Sequence, residues 1–162
     1  MPALTLAAFA ETHSVGLTRF AYLLCGDRGL AEDLVQDTFT ALYRRFGDTL
    51  PLEAPVAYAR RTIVNAHASF RRRRASSALV LIDPPDTPTA GPDGGEQDAM
   101  WRALATLPER QRAVLVLRYY LDLSDDDIAT ALGARPGTVR SLAARAFATL
   151  RTNSDLTTED VR

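Results

Sequence analysis

The chain has 162 residues, 46% of them apolar and 24% charged, with a formal net charge of −1. That is the composition of an ordinary soluble globular protein, and no apolar run is long enough to cross a bilayer, so membrane insertion is not expected. The lone Cys25 excludes an internal disulfide and a cysteine-based metal cage, which fits a reducing, cytoplasmic home.

The near-neutral total conceals a strong segregation of charge. Every basic residue other than histidine is arginine, and lysine is absent. Six arginines and no acid lie between Arg60 and Arg74, and four arginines and no acid between Arg135 and Arg151. Between these stretches, Asp83 to Asp98 carries five acids and no base. Charge arranged in this way creates local fields that the total hides, and arginine suits bidentate contacts to phosphate and guanine.

The N-terminus, MPALTLAAFAETHS, lacks a basic segment before its apolar residues and reads as the start of a helix, not as a secretory signal. Ala3 to Leu24 carries Leu6, Phe9, Leu17, Phe20 and Leu24 at roughly helical intervals. Gly26-Asp27 breaks the pattern, and a second helix is expected from Gly29 to Phe46. On it Leu30, Leu34, Ala41, Leu42 and Phe46 share one half, and Glu32, Asp33, Gln36, Thr40 and Tyr43 the other. Pro55 opens a third helix reaching to about Arg73. Its apolar residues Ile63, Ala66 and Phe70 fall together, and Arg61, Asn65 and Arg72 fall on a different side.

Ala75 to Gln97, with four prolines and three glycines, reads as a linker. Its apolar run Leu79 to Ile82 is expected to dock on the first half. Four helices follow. The first spans about Glu96 to Thr106 and carries Trp101 and Leu104. Pro108 opens the second, with Val114, Leu115, Leu117 and Leu121 as its stripe. Ser124 and Asp127 make a capping signal for a short third helix ending at Gly133. Pro136 opens the last, which reaches about Arg151. The fold class is therefore all-α: two small helical domains joined by a flexible linker, with boundaries expected at 1–75, 76–97 and 98–152.

The stretch from Ser124 to Arg151 has the form of a helix-turn-helix. On its last helix Val139, Leu142, Ala143, Ala146 and Leu150 share one face. Gly137, Thr138, Arg140, Ser141, Arg145 and Arg151 share the other, which is basic and hydroxyl-bearing with no carboxylate. Such a face can enter a major groove, where arginine reads guanine and hydroxyls adapt to several base edges. On the third helix, arginines supply phosphate contacts and an asparagine can bond a base edge. Glu32, Asp33 and Asp37 lie with Gln36 along an exposed helix face with no histidine at ligand spacing, which marks a partner-binding or solvated face and not a metal site. His13 and His67 are given no chemistry. No phosphate loop, nucleophile elbow or paired catalytic motif is present, so neither catalytic residues, nor a metal, nor a cofactor is expected.

Three segments resemble the extracytoplasmic function (ECF) sigma factors of the sigma-70 family, in the actinobacterial sigma-E-like branch. LAEDLVQDTFTALYRRF (Leu30 to Phe46) resembles the helix that grips the polymerase clamp. PVAYARRTIVNAHASFRRRR (Pro55 to Arg74) resembles the segment that opens the downstream promoter element. LPERQRAVLVLRYYLDLSDDDIATALGARPGTVRSLAARAFATLR (Leu107 to Arg151) resembles the domain that reads the upstream element. The resemblance implies polymerase contacts at Asp33, Gln36 and Asp37, and downstream-element contacts at Arg61 and Asn65, to which Ser69 and Arg72 of the same helix are added as expected contacts. It implies upstream-element contacts at Arg135, Thr138, Arg140, Ser141 and Arg145. The implied partners are core RNA polymerase, promoter DNA and an anti-sigma factor, with the acidic linker threading a basic channel of the polymerase. Ser69 stands where many members carry an acid or amide, Arg135 replaces the usual serine cap, and Leu142 replaces a frequent polar residue. The alternatives are a stand-alone helix-turn-helix regulator that binds duplex DNA without polymerase, and a polymerase-binding interaction protein.

Overall fold

The computed structural model describes residues 3–76 and 95–159. Within these lie seven helices, and the chain divides into two compact units, one through residue 81 and one from residue 82. The expected linker and the apolar run Leu79 to Ile82 fall outside the described residues, apart from the linker's two ends.

In the first unit, local capping residues set where each helix begins and ends. The Thr5 hydroxyl accepts the Ala8 amide at 3.1 Å and starts α1, Leu6–Cys25. Gly26, in the left-handed region at φ 72°, ends it. The Asp27 carboxylate accepts the Leu30 amide at 2.7 Å and starts α2, Arg28–Phe46. Gly47 ends α2 at φ 75° and ψ −147°, a region open essentially to glycine alone. Pro55 opens α3, Pro55–Ser76. All three helices pack on one another. The core is Phe9, Leu17, Phe20, Ala21, Leu23 and Leu24 of α1 with Ala31, Leu34, Val35 and Leu42 of α2 and Ala59, Ile63, Val64 and Ala68 of α3.

Three details differ from the sequence expectation. Helix α1 begins at Leu6 and not near Ala3, because Thr5 is extended and bridges Thr49, with the backbone of Leu4 and Leu6 bonded to Leu50 and Asp48. On α2, Ala41 is exposed, while Ala31, Val35 and Thr38 are buried. The buried arc of this helix faces both α1 and α3 and so sits further round than a single apolar stripe suggests. Thr38 is accommodated because its hydroxyl donates to the Leu34 carbonyl at 2.8 Å. On α3, Ala66 and Phe70 are only half-buried, and the core face runs through Ala59, Ile63 and His67 with Val64 and Ala68.

The second unit contains α4 (Gly95–Ala105), α5 (Glu109–Tyr120), α6 (Asp125–Leu132) and α7 (Pro136–Glu159). Six consecutive residues of α5, Arg112 to Leu117, are buried. Helices α6 and α7 pack against α5 and against each other. The buried Arg112 guanidinium donates to the Leu107 carbonyl at 3.3 Å, closing the corner after α4. Arg118, near the end of α5, forms an ion pair with Asp125 in the first turn of α6. Ser124 caps α6 by accepting the Asp127 amide at 3.1 Å, as its capping signal implies. Gly133 ends α6 at φ 63°. Helix α7 runs past the expected Arg151, and Asn153 donates to the Thr106 hydroxyl at 3.2 Å.

His67 is 4% exposed, and its pKa falls from 6.5 to about 4, first through burial and then through the charge of Arg71. The folded state thus keeps His67 neutral, whereas the unfolded chain protonates it below pH 6.5. Stability is unaffected above that pH and declines as pH falls from 6.5 towards 4. In chemical denaturation, the wild-type advantage over His67→Gln should shrink by up to about 3 kcal/mol between pH 7 and pH 4. A pH-independent difference would contradict this assignment.

Gly16 lies in the exposed interior of α1 with nothing within 4 Å of where a Cβ would sit, so Gly16→Ala should stabilise the first unit by about 0.5–1 kcal/mol. Gly47→Ala should destabilise it by about 1–3 kcal/mol, although space is open there too, because the backbone conformation is the obstacle. Urea titrations of the two variants should therefore move in opposite directions.

Candidate nucleic-acid interface

Helix α7 follows α6 after Gly133, Ala134 and Arg135, a tight turn that sets a short helix against a long one. Val139, Leu142, Ala143 and Ala146 are buried and anchor the helix. Gly137, Thr138, Arg140, Ser141, Arg145 and Arg151 are exposed, as the sequence pattern implies. Arg135, Gly137, Thr138, Ser141, Leu142 and Arg145 line one shallow depression along this face. Leu142 is 8% exposed and forms its floor, so an apolar residue there follows from packing. No carboxylate occurs between Ile128 and Ser154.

Arg140 borders that depression, its Nη2 lying 3.9 Å from where a Cβ on Gly137 would sit. With about 100° of turn per residue, it lies about 140° round the helix from Arg145 but only about 20° from Phe147. Phe147 is 37% exposed and meets the exposed Tyr119 edge-on, with ring centroids 6.2 Å apart. The exposed surface of α7 thus combines a hydroxyl-and-arginine depression with an aromatic edge, and Arg140 lies between them. Sequence reasoning missed the second, because Tyr119 and Phe147 belong to different helices and no periodicity on either one links them.

On α3, Arg61, Asn65 and Arg72 are exposed and Ser69 is half-exposed. Their spacing places all four within about 80° of one another on the helix. An Arg72 guanidinium nitrogen donates to the Ser69 hydroxyl at 3.1 Å, which holds one edge of the cation along the stripe. Arg74 lies over the Phe70 ring at 5.6 Å from its centroid, about 100° or more round the helix from that stripe.

On α2, Asp33, Gln36 and Asp37 are exposed and span about 100° of the helix. Asp37 also lines a second shallow depression with Thr40, Ala41, Arg44 and Arg45. The outer face of α2 is therefore acidic towards its start and basic towards its end. Tyr43 beside it is 55% exposed. The arginines were not singled out from the sequence, because a basic last turn is ordinary helix-dipole chemistry.

Among the described residues, no helix is long and apolar enough to cross a membrane, and no group of three or more His, Cys, Asp or Glu side chains is placed to hold a metal ion.

The comparisons with known proteins agree with this geometry. Residues 9–77 match the family described as Sigma-70 region 2, and residues 97–150 the family described as Sigma-70, region 4. The RNA polymerase sigma-E factor of Streptomyces coelicolor is 32% identical over 147 residues, covering 88% of this chain and 82% of that protein. The ECF RNA polymerase sigma factor SigL of Mycobacterium tuberculosis is 33% identical over 143 residues, covering 84% of this chain and 81% of that protein. Among solved structures, the sigma factor RpoE in complex with the anti-sigma factor NepR from Bartonella quintana is 26% identical. It has a TM-score of 0.51 and covers 89% of this chain and 94% of that one. With both regions matched in order, on helices that expose the residues the resemblance pointed to, the chain belongs to the sigma-70 family and is an RNA polymerase sigma factor of the ECF type.

Proposed function

We propose that the chain performs promoter recognition and opening through three separate surfaces. Asp33, Gln36 and Asp37 of α2 seat it on core RNA polymerase. Arg61, Asn65, Ser69 and Arg72 of α3 hold unstacked bases and phosphates of the downstream promoter element. Arg135 in the turn, with Thr138, Arg140, Ser141 and Arg145 of α7, reads the duplex upstream element. The observation that carries this reading is the exposed face of α7, which holds arginines and hydroxyls with no carboxylate over its first five turns or so.

The physical division follows from what each surface offers. A helix face with bidentate donors suits base edges in a major groove. A stripe of arginines with one amide suits a separated strand, whose melting is offset by phosphate and base contacts. Each contact is modest, and tethering the two units makes them additive through effective concentration. The chain acts without catalysis of its own, in the cytoplasm, and nucleotidyl transfer belongs to the polymerase. The acidic linker passes along a basic path of the polymerase. An anti-sigma factor is a natural partner, since the Bartonella relative is seen bound to one.

Two experiments test the division. Reversing both charges, Asp33→Lys with Asp37→Lys, should weaken binding to core polymerase by at least about tenfold with the fold intact. Unchanged affinity would move the polymerase contact elsewhere. Arg145→Ala should weaken duplex recognition, by about 1–3 kcal/mol if the contact is a bidentate base contact. Asn65→Ala should spare the closed complex and impair opening, read by permanganate footprinting. A pre-melted template should restore activity to the Asn65 variant more than to the Arg145 variant. Equal losses of binding and opening in both, with no rescue, would contradict the division.

A further inference from the structure

We infer that residues 4–6 are a positioning clasp for the connection between α2 and α3, and that this clasp contributes to promoter opening without touching DNA. The inference rests on the reading of α3 as the strand-holding helix.

The connection runs from Gly47 to Ala54. It has little core of its own, since Leu50 is its only buried side chain and Asp48, Thr49, Pro51, Glu53 and Ala54 are exposed. A loop so lightly anchored belongs to the low-stability end of a structure and opens locally unless it is tied down. Two main-chain hydrogen bonds tie it. The Leu6 amide donates to the Asp48 carbonyl at 2.8 Å, and the Leu50 amide donates to the Leu4 carbonyl at 2.9 Å. Thr5 and Thr49 face each other between them as an isolated antiparallel bridge.

The tie leads directly to the helix on which the other two pack. Thr5 is both the bridge residue and the N-cap of α1. The clasp therefore fixes the loop to the most buried helix of the unit at the point where the chain leaves the polymerase-facing helix for the DNA-facing one. Phe46 and Tyr58 meet edge-on at 5.6 Å across the same connection, so the start of α3 is held from two sides. A site needs its supporting elements locked to act with precision, and here the lock on α3 includes main-chain bonds from a segment distant in sequence.

The clasp can be broken at one atom. Leu6 is the first residue of α1, where proline is well tolerated, and Thr5 at φ −81° and ψ 149° already has the conformation preferred before proline. Leu6→Pro removes the donor to Asp48, whereas Leu6→Ala removes the side chain and keeps the donor. Hydrogen exchange should show the Leu50 amide protected in the alanine variant and released in the proline variant. Holoenzymes assembled from the full chain, core polymerase and a promoter selected by the wild type should then differ. The proline variant should open the duplex promoter about two- to tenfold more slowly than the alanine variant, with equal core affinity, a fold intact at the assay temperature and equal activity on a pre-melted template.

A second pair of variants makes the result independent of proline. Thr5 and Thr49 form a non-hydrogen-bonded antiparallel pair, where Cα atoms lie about 4.5 Å apart, within disulfide reach. Thr5→Cys with Thr49→Cys, placed in the Leu6→Pro chain, should recover opening when oxidised and lose it again when reduced. Equal opening by Leu6→Pro and Leu6→Ala, or no recovery on oxidation, would overturn the clasp. Asn65→Ala run alongside separates the two ideas: normal opening by that variant would refute the reading of α3, while the Leu6 comparison would still decide the clasp.

Discussion

In the first unit the buried side of α1 is what releases the outer faces of its neighbours. Phe9, Leu17, Phe20, Leu23 and Leu24 bury themselves against α2 and α3 together. A unit of about 75 residues buries a smaller share of its surface than a large domain does, so its few buried side chains must come from every helix. With α1 supplying the largest of them, α2 and α3 each commit only one arc to packing. The opposite arcs carry Asp33, Gln36 and Asp37 on one helix and Arg61, Asn65 and Arg72 on the other. Loss of the α1 contact would therefore reach both proposed surfaces at once, although α1 itself contributes to neither.

The second unit solves the same problem differently. There the central element is α5, buried through six consecutive residues, and α6 and α7 close on it. Helix α7 needs only Val139, Leu142, Ala143 and Ala146 for its seat, two of them small. Small seating residues let the helix lie close while its arginines stay free. The ion pair between Arg118 and Asp125 links α5 to α6, but both partners are partly solvated, so it contributes at most about 1 kcal/mol. The angle of the helix-turn-helix is held chiefly by packing and by the caps at Ser124 and Gly133.

Much of this architecture could be read from the chain, and the reasons are local. Capping residues and helix-opening prolines act on their own backbone, so Ser124, Gly133, Pro55 and Pro136 announce their helices without tertiary information. The seating face of α7 was legible because that helix packs along a single stripe. The buried arc of α2 was less so, because two neighbours share it: Val35 and Thr38 are covered by a combination that one-helix periodicity cannot express. His67 illustrates the same limit. A histidine between Asn65 and Ser69 gives no hint in sequence that it faces inward, and only the packing of α3 buries it. Ala3 to Thr5 read as helix because they run into the apolar pattern that begins at Leu6, whereas the bridge from Thr5 to Thr49 is a contact more than forty residues away in sequence.

Charge order explains how surfaces this small could tell their partners apart. The first unit presents acids on α2 and arginines on α3, so a nucleic-acid backbone is repelled from the first and attracted to the second, while a basic protein surface meets the reverse. Discrimination of this kind depends on the repulsive element as much as on the attractive one. Along α2 itself the sign changes from Asp33 and Asp37 to Arg44 and Arg45, in the direction that the helix dipole favours. A partner lying along this face must match both ends, so a shift by one or two helical turns would set like charges against each other. A formal total of −1 is then the sum of strong local terms. It keeps general attraction to polyanions weak and leaves binding to depend on the correct register at each surface.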